Sequence, residues 1–173
     1  MKNNKKSIAF ITGVTGQDGA HLADLLLKKG YEVYGGFRRG GLNKMWRLDF
    51  LGITAQIKLV EFQLDEPQHI IDLFKKIQPD EIYNLAGESF VADSFDYPCH
   101  TMEINAHGVV NILEAARLVS PRSRMFFASS SEVFGYAAEN GGLNEQSTRK
   151  PCNPYAISKL TADNFVRLYR EKY

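Results

Sequence analysis

Short apolar runs alternate along the chain with segments whose apolar residues recur at helical spacing. "SIAFIT" (7–12), "YEVYGG" (31–36), "IKLVEF" (57–62), "EIYNLA" (81–86) and "RMFFAS" (124–129) are short and read as buried strands. "HLADLLLKKG" (21–30), "QHIIDLFKKI" and "MEINAHGVVNILEAARLV" (102–119) read as helices, and a last helix is predicted from "NP" over 154–172. In the first helix the lysines come late, and Gly30 stands where a C-terminal cap belongs. "FRRGGLNKMWRLDFLGI" is less regular, and Trp46, Leu48, Phe50 and Leu51 within it are expected to pack locally.

Strand–helix alternation of this kind makes a parallel sheet with helices on both faces, whose strands are apolar throughout. The fold class predicted is α/β, a Rossmann-like doubly wound parallel sheet, with residues 1–173 as one domain. No strand follows "RLYREKY", whereas such sheets usually have a sixth. The sheet is therefore expected to be truncated before its last strands and a substrate domain.

Charge removes some function classes. Lys and Arg number 21 against 20 Asp and Glu, a formal net charge of +1, so no basic footprint for nucleic acid or an anionic membrane exists. Any bound anion must be held locally. Cys99 and Cys152 stand far apart, which suits a reducing compartment. The apolar run after "MKNNKKS" is too short for a signal-peptide core, and no stretch could span a bilayer. A cytoplasmic protein is expected. His21, His69, His100 and His107 show no metal-ligand spacing with one another or with the cysteines, so no metal site is expected.

The chemistry-bearing stretches begin with "TGVTGQDG", whose glycines fall at 13, 16 and 19 in the first strand-to-helix turn. Glycines there let backbone approach a pyrophosphate, and the helix N-terminus supplies free N–H groups. Arg38 and Arg39 end the second strand, with no acidic residue beside them. Arginine at that place accepts a 2′-phosphate, which favours NADP over NAD. In "NPYAISK", Tyr155 and Lys159 share a helix face, and an ammonium beside a phenol favours the phenolate. Such a tyrosine can exchange a proton with an alcohol while hydride moves to a nicotinamide. "ASSSEVFG" adds Glu132 at the end of the fifth strand. A carboxylate is superfluous for oxidising an alcohol, but suits removal of a proton from carbon beside a new ketone.

Together "ITGVTGQDG", "KGYEVYG", "RR", "QPDEIYNLA", "SSSE", "PYAISK" and "YREKY" resemble, in order, the blocks of the extended short-chain dehydrogenase/reductases. Within them the chain is most similar to the GDP-mannose 4,6-dehydratases. The resemblance implies conversion of GDP-mannose to GDP-4-keto-6-deoxy-mannose with internally recycled NADP. Tyr155, helped by Lys159, would take the C4 hydroxyl proton, and Glu132 the C5 proton. Ser130 would hydrogen-bond near the C4 oxygen. Gly13, Thr15, Gly16, Gln17, Asp18 and Gly19 would cradle the pyrophosphate, and Arg38 and Arg39 the 2′-phosphate. Gln63 and Leu64 would contact adenine, while Leu85, Ala86, Gly87 and Ser89 pass beneath the nicotinamide, near Tyr155 and Lys159. Homologous enzymes are dimers or tetramers, so homo-oligomers of the full-length protein are expected, with "GGLNKMWRLDF" as a flexible arm anchored by Trp46.

Three positions depart from the family pattern. Gln63 replaces an aspartate, Glu88 enters a stretch closer to "LGAQS", and His100 replaces a frequent tyrosine. Two further readings stay open here. One is an NADP-dependent 4-keto-sugar-nucleotide reductase or epimerase of the same superfamily, which would not need Glu132 on C5. The other is a catalytically silent NADP-binding fragment.

Overall fold

A computed structural model describes residues 6–140 and 142–173. At its centre lie β1 (Ile8–Thr12), β2 (Glu32–Phe37), β3 (Lys58–Glu61), β4 (Glu81–Asn84) and β5 (Arg124–Phe127). All pairings are parallel, in the order β3-β2-β1-β4-β5. Strand order thus reverses between β1 and β4, the place where open α/β sheets bind ligands.

The unbroken apolar run of β1 is explained by its two buried faces. Ala9 and Ile11 enter one core with Ala20, Ala23 and Leu26 of α1 (Gln17–Lys28). Phe10 enters the other with Ile70 and Phe74 of α3 (Pro67–Ile77) and Ile112 of α6 (Gly108–Val119). There the Phe10 ring meets Phe62 and Phe74 edge-on at 4.9 and 5.3 Å, the geometry aromatic quadrupoles favour. α7 (Pro154–Lys172) lies outside α6, with Ala162 against Val109 and Leu113.

Some boundaries differ from the sequence expectation. α1 begins at Gln17, not 21, because Gly16 takes the extended N-cap conformation and Asp18 suits the positive end of the first turn. At its other end Gly30 N–H donates to Leu27 O and Tyr31 N–H to Leu26 O, closing the helix as predicted. β4 stops at Asn84, because Thr12 Oγ1 accepts the next two N–H groups, of Leu85 and Ala86, at 3.1 and 3.0 Å. The helix expected over 102–119 is interrupted. α5 (Pro98–Met102) and α6 are joined through one π-helical stretch, Glu103–His107, preceded by the short α4 (Asp93–Asp96).

The expected arm after β2 is a 3-10 turn, Gly41–Lys44, followed by α2 (Trp46–Phe50). Its anchors are Met45 and Leu48, both in the core, whereas Trp46 is 59% and Phe50 84% exposed. Of that predicted local cluster only Leu48 is fully buried; Leu51 is half-buried against the same core, and Trp46 and Phe50 line a shallow hollow beside α1. Among the described residues no helix is long and apolar enough to cross a membrane. Cys99 and Cys152 are free and exposed.

Candidate active site

The carboxyl ends of β1 to β4 surround a cleft of about 630 Å³. Gly13, Thr15, Gly16, Arg38, Gln63, Leu64, Leu85, Ala86, Gly87 and Ser89 all line it, and so do Glu88 and His100. Ten residues predicted to touch a cofactor are therefore gathered in one hollow from four separate turns. Gly13 has φ +69° and lies against Ala86, where a Cβ would come within 3.1 Å of its backbone. Gly13 and Val14 N–H both point to Gly36 O, which ties the turn to β2. From outside, Arg47 Nη1 donates to Thr15 O at 3.3 Å, so α2 braces the same loop.

The remaining residues of the predicted cradle stand elsewhere. Gln17, Asp18 and Gly19 form the first turn of α1 behind the cleft. A Cβ on Gly19 would meet Gly13 O at 2.3 Å, so this glycine lets the helix pack against the turn. Arg39 turns away from the cleft to Glu61 Oε1 (2.7 Å) and Glu66 Oε1 (3.4 Å), and its pairing with Glu61 raises its already high pKa. Arg38 faces the cleft, and there Nη1 meets Glu88 Oε1 at 3.1 Å.

At the end of β5 the chain turns into Ser131–Asn140. Glu132 lines a second pocket of about 380 Å³ with Val91, Phe95, Tyr136, Cys152 and Asn153. Asn153 Nδ2 donates to Glu132 Oε2 at 3.0 Å, and Asn153 Oδ1 caps α7 by accepting from Ala156 N–H at 2.7 Å. One buried amide thus joins the carboxylate to the helix that carries Tyr155 and Lys159. Ser130 Oγ accepts from Glu132 N–H at 3.2 Å and lines a different hollow, beside Arg149 and Asp163.

Tyr155 and Lys159 are buried on one face of α7, with Lys159 Nζ 6.0 Å from the Tyr155 ring centre. Nζ donates to Ala128 O at 2.8 Å and lies 4.9 Å from the Phe127 ring. Burial lowers its pKa to about 8, because desolvation disfavours the ammonium. Among the described residues no carboxylate pairs with it.

Three contributors were not read from the sequence. Thr12, wholly buried, donates to Asn84 Oδ1 at 2.7 Å while fixing the turn after β4. Its signal was a lone polar residue ending an apolar strand. Asn105, in the π stretch, clamps Glu88: Oδ1 accepts from Glu88 N–H at 2.9 Å and Nδ2 donates to Glu88 O at 2.8 Å. Asn105 Nδ2 also reaches Ser158 Oγ, at 3.2 Å. Nothing local marks that residue. Asn153 was visible as an Asn-Pro helix start, but its reach to Glu132 was not.

Residues 10–173 match the family model described as GDP-mannose 4,6 dehydratase. The chain is 38% identical over 175 residues to GDP-mannose 4,6-dehydratase of Vibrio cholerae serotype O1, covering 97% of this chain and 47% of that protein. It is 39% identical over 172 residues to the Yersinia enterocolitica enzyme of the same name, covering 95% and 46%. Among solved structures, the UDP-Glc/GlcNAc 4-epimerase from Campylobacter jejuni superposes with a TM-score of 0.86 at 25% identity, over 96% of this chain and 50% of that one. The chain spans about half the length of the curated relatives it matches.

Proposed function

The chain belongs to the GDP-mannose 4,6-dehydratase family, and from that premise we propose that its full-length protein removes water from GDP-mannose with recycled NADP. Residues 1–173 then serve as the dinucleotide-binding part, and the sugar nucleotide is gripped largely by chain beyond it.

The cleft suits such a cofactor. Gly13, Gly16, Ala86 and Gly87 offer a floor of main chain where larger residues would obstruct, and Arg38 offers a cation at the end of β2. Gln63 and Leu64 line the same cleft and are assigned to adenine. When bound, the nicotinamide supplies the redox chemistry, taking a hydride from the sugar and returning it. In this reading Tyr155 accepts the proton of the C4 hydroxyl, and Lys159, held by Ala128 O, supplies the positive field that favours its phenolate. Glu132 accepts the C5 proton, which a C4 ketone makes acidic, and water leaves from C6. Ser130 is assigned to the C4 oxygen: its Oγ accepts from Glu132 N–H and keeps its own proton to donate.

The observation that carries this reading is the Glu132–Asn153–α7 link. It binds a carboxylate to the Tyr/Lys helix, and a simple alcohol dehydrogenase has no work for that group. The same reading includes homo-oligomers of the full-length protein. α7 supports this by leaving Ile157, Leu168 and Tyr173 exposed, and light scattering that gives a monomer would count against it. The deciding experiment incubates full-length protein with GDP-mannose and catalytic NADP, followed by mass spectrometry of the sugar nucleotide. Loss of one water without build-up of reduced cofactor is expected. An unchanged sugar nucleotide overturns the proposal.

A further inference from the structure

Arg38 and Glu88 stand 50 residues apart, at the carboxyl ends of β2 and β4, and meet across one cleft. Arg38 Nη1 donates to Glu88 Oε1 at 3.1 Å, and His100 Nε2 lies 4.0 Å from the same oxygen. Arg39 points away from the cleft to Glu61 and Glu66, so Arg38 is the member of the pair that faces a ligand held there. Glu88 already engages it.

Glu88 is not loosely placed. Asn105 holds both its N–H and its C=O, and Asn105 is in turn held by Ser158. Gly87, just before it, has no room for a side chain, because a Cβ would meet Asn105 Oδ1 at 2.7 Å. An ion pair with 62% and 41% exposed partners adds little to stability. The fixed backbone therefore aims a carboxylate into the cleft, where it changes what the cleft prefers.

We propose that Glu88 is a cofactor-discriminating residue, whose carboxylate competes with a ribose 2′-phosphate for Arg38 and narrows the preference for NADP over NAD. The proposal rests on the reading above, that this cleft holds a nicotinamide dinucleotide. A 2′-phosphate that reaches Arg38 must displace the carboxylate and then remain beside a like charge. A ribose bearing only a 2′-hydroxyl meets no such opposition. This is discrimination by an opposing charge, in place of an added attraction.

The test titrates full-length protein and its Glu88→Gln variant with NADP and with NAD by calorimetry at low salt. Glutamine keeps the shape and removes the charge. NADP affinity is expected to rise about tenfold and NAD affinity to change less than about twofold. In an Arg38→Met background the same substitution is expected to leave NADP affinity within about twofold, since the contested cation is gone. An unchanged ratio of the two affinities overturns the proposal and leaves the dinucleotide reading standing. So does a selective loss of NAD affinity, which would show Glu88 holding a ribose hydroxyl. If neither cofactor binds to parent or variant, the cofactor reading falls and this inference with it.

Discussion

Asn153 and Glu132 are joined by a 3.0 Å hydrogen bond from Nδ2 to Oε2, while the other end of the same amide caps α7. Asn153→Ser separates the two tasks. Serine can still cap the helix but is too short to reach Glu132. Stability is expected to stay within about 0.5 kcal/mol, while, on the function proposed above, turnover by the full-length protein falls about tenfold as the carboxylate loses its orientation. Asn153→Ala loses the cap as well and costs about 1 kcal/mol. Urea unfolding and turnover on GDP-mannose, measured on the same preparations, check both.

Lys159 makes stability depend on pH in an unusual direction. Its pKa is about 8 in the fold, against an ordinary lysine value of 10.5. Between those values the unfolded chain binds more protons, so stability rises with pH. The cost of burying the ammonium is fully present below pH 8 and relieved towards 10.5, amounting to about 3 kcal/mol. Tyr83 and Tyr169, raised to about 12 by burial and by Glu81 and Glu114 respectively, act the other way above pH 10. Urea midpoints at pH 8, 9 and 10 are expected to climb for the parent and to stay level for Lys159→Met.

Acid should erode the stability that Glu114 contributes where α6 meets α7. Glu114 accepts from Arg117 and from the Tyr169 hydroxyl, which hold its carboxyl at about 2. A depressed carboxylate contributes above its unfolded value, near 4.5, and that contribution is lost as pH falls towards 2. Glu114→Gln removes this part of the acid dependence. Acid unfolding followed by circular dichroism is expected to show a shallower slope between pH 4.5 and 2 in the variant.

Gly135 has φ +54° and ψ −129°, and a Cβ there would stand 2.0 Å from Lys150 O. Gly135→Ala is therefore expected to destabilise by about 2–4 kcal/mol. It should also push the 131–140 turn off the Lys150–Cys152 segment, opening the Glu132 pocket. Thermal unfolding and turnover are both expected to suffer, and an alanine variant of normal stability would refute the close packing.

What the sequence could and could not reveal follows from the range of the interactions. The five strands were legible as short apolar runs, most fully in β1, where Ala9 and Ile11 enter one core and Phe10 another. The expectation of buried strands, apolar throughout, fails at the sheet edges, where Lys58 and Glu61 of β3 and Arg124 and Phe126 of β5 are exposed. That Gly13, Thr15, Gly16 and Arg38 would share one cleft was legible because they stand in the turns that follow two adjacent parallel strands. The partners of Arg39 were hidden, since Glu61 ends β3 and Glu66 is the N-cap residue of α3, and no local pattern reveals that either lies beside β2. The partner of Glu88 was hidden for the same reason. Gly19 fits the glycine spacing, but spacing does not tell a residue that touches a ligand from one that lets a helix come close.

The π stretch at Glu103–His107 makes the alignment of this site a matter of chain length. A π turn holds one residue more than an α turn, so deleting a single residue there would leave a continuous helix. The flanking helices would keep their faces, because the extra residue is taken up within the one wide turn. Asn105 sits in that turn, and tightening it would carry Asn105 off both Glu88 and Ser158, although both of those residues would still be present. Among descendants of such a gene, a one-codon gap at this point would separate working copies from silent ones more sharply than most substitutions.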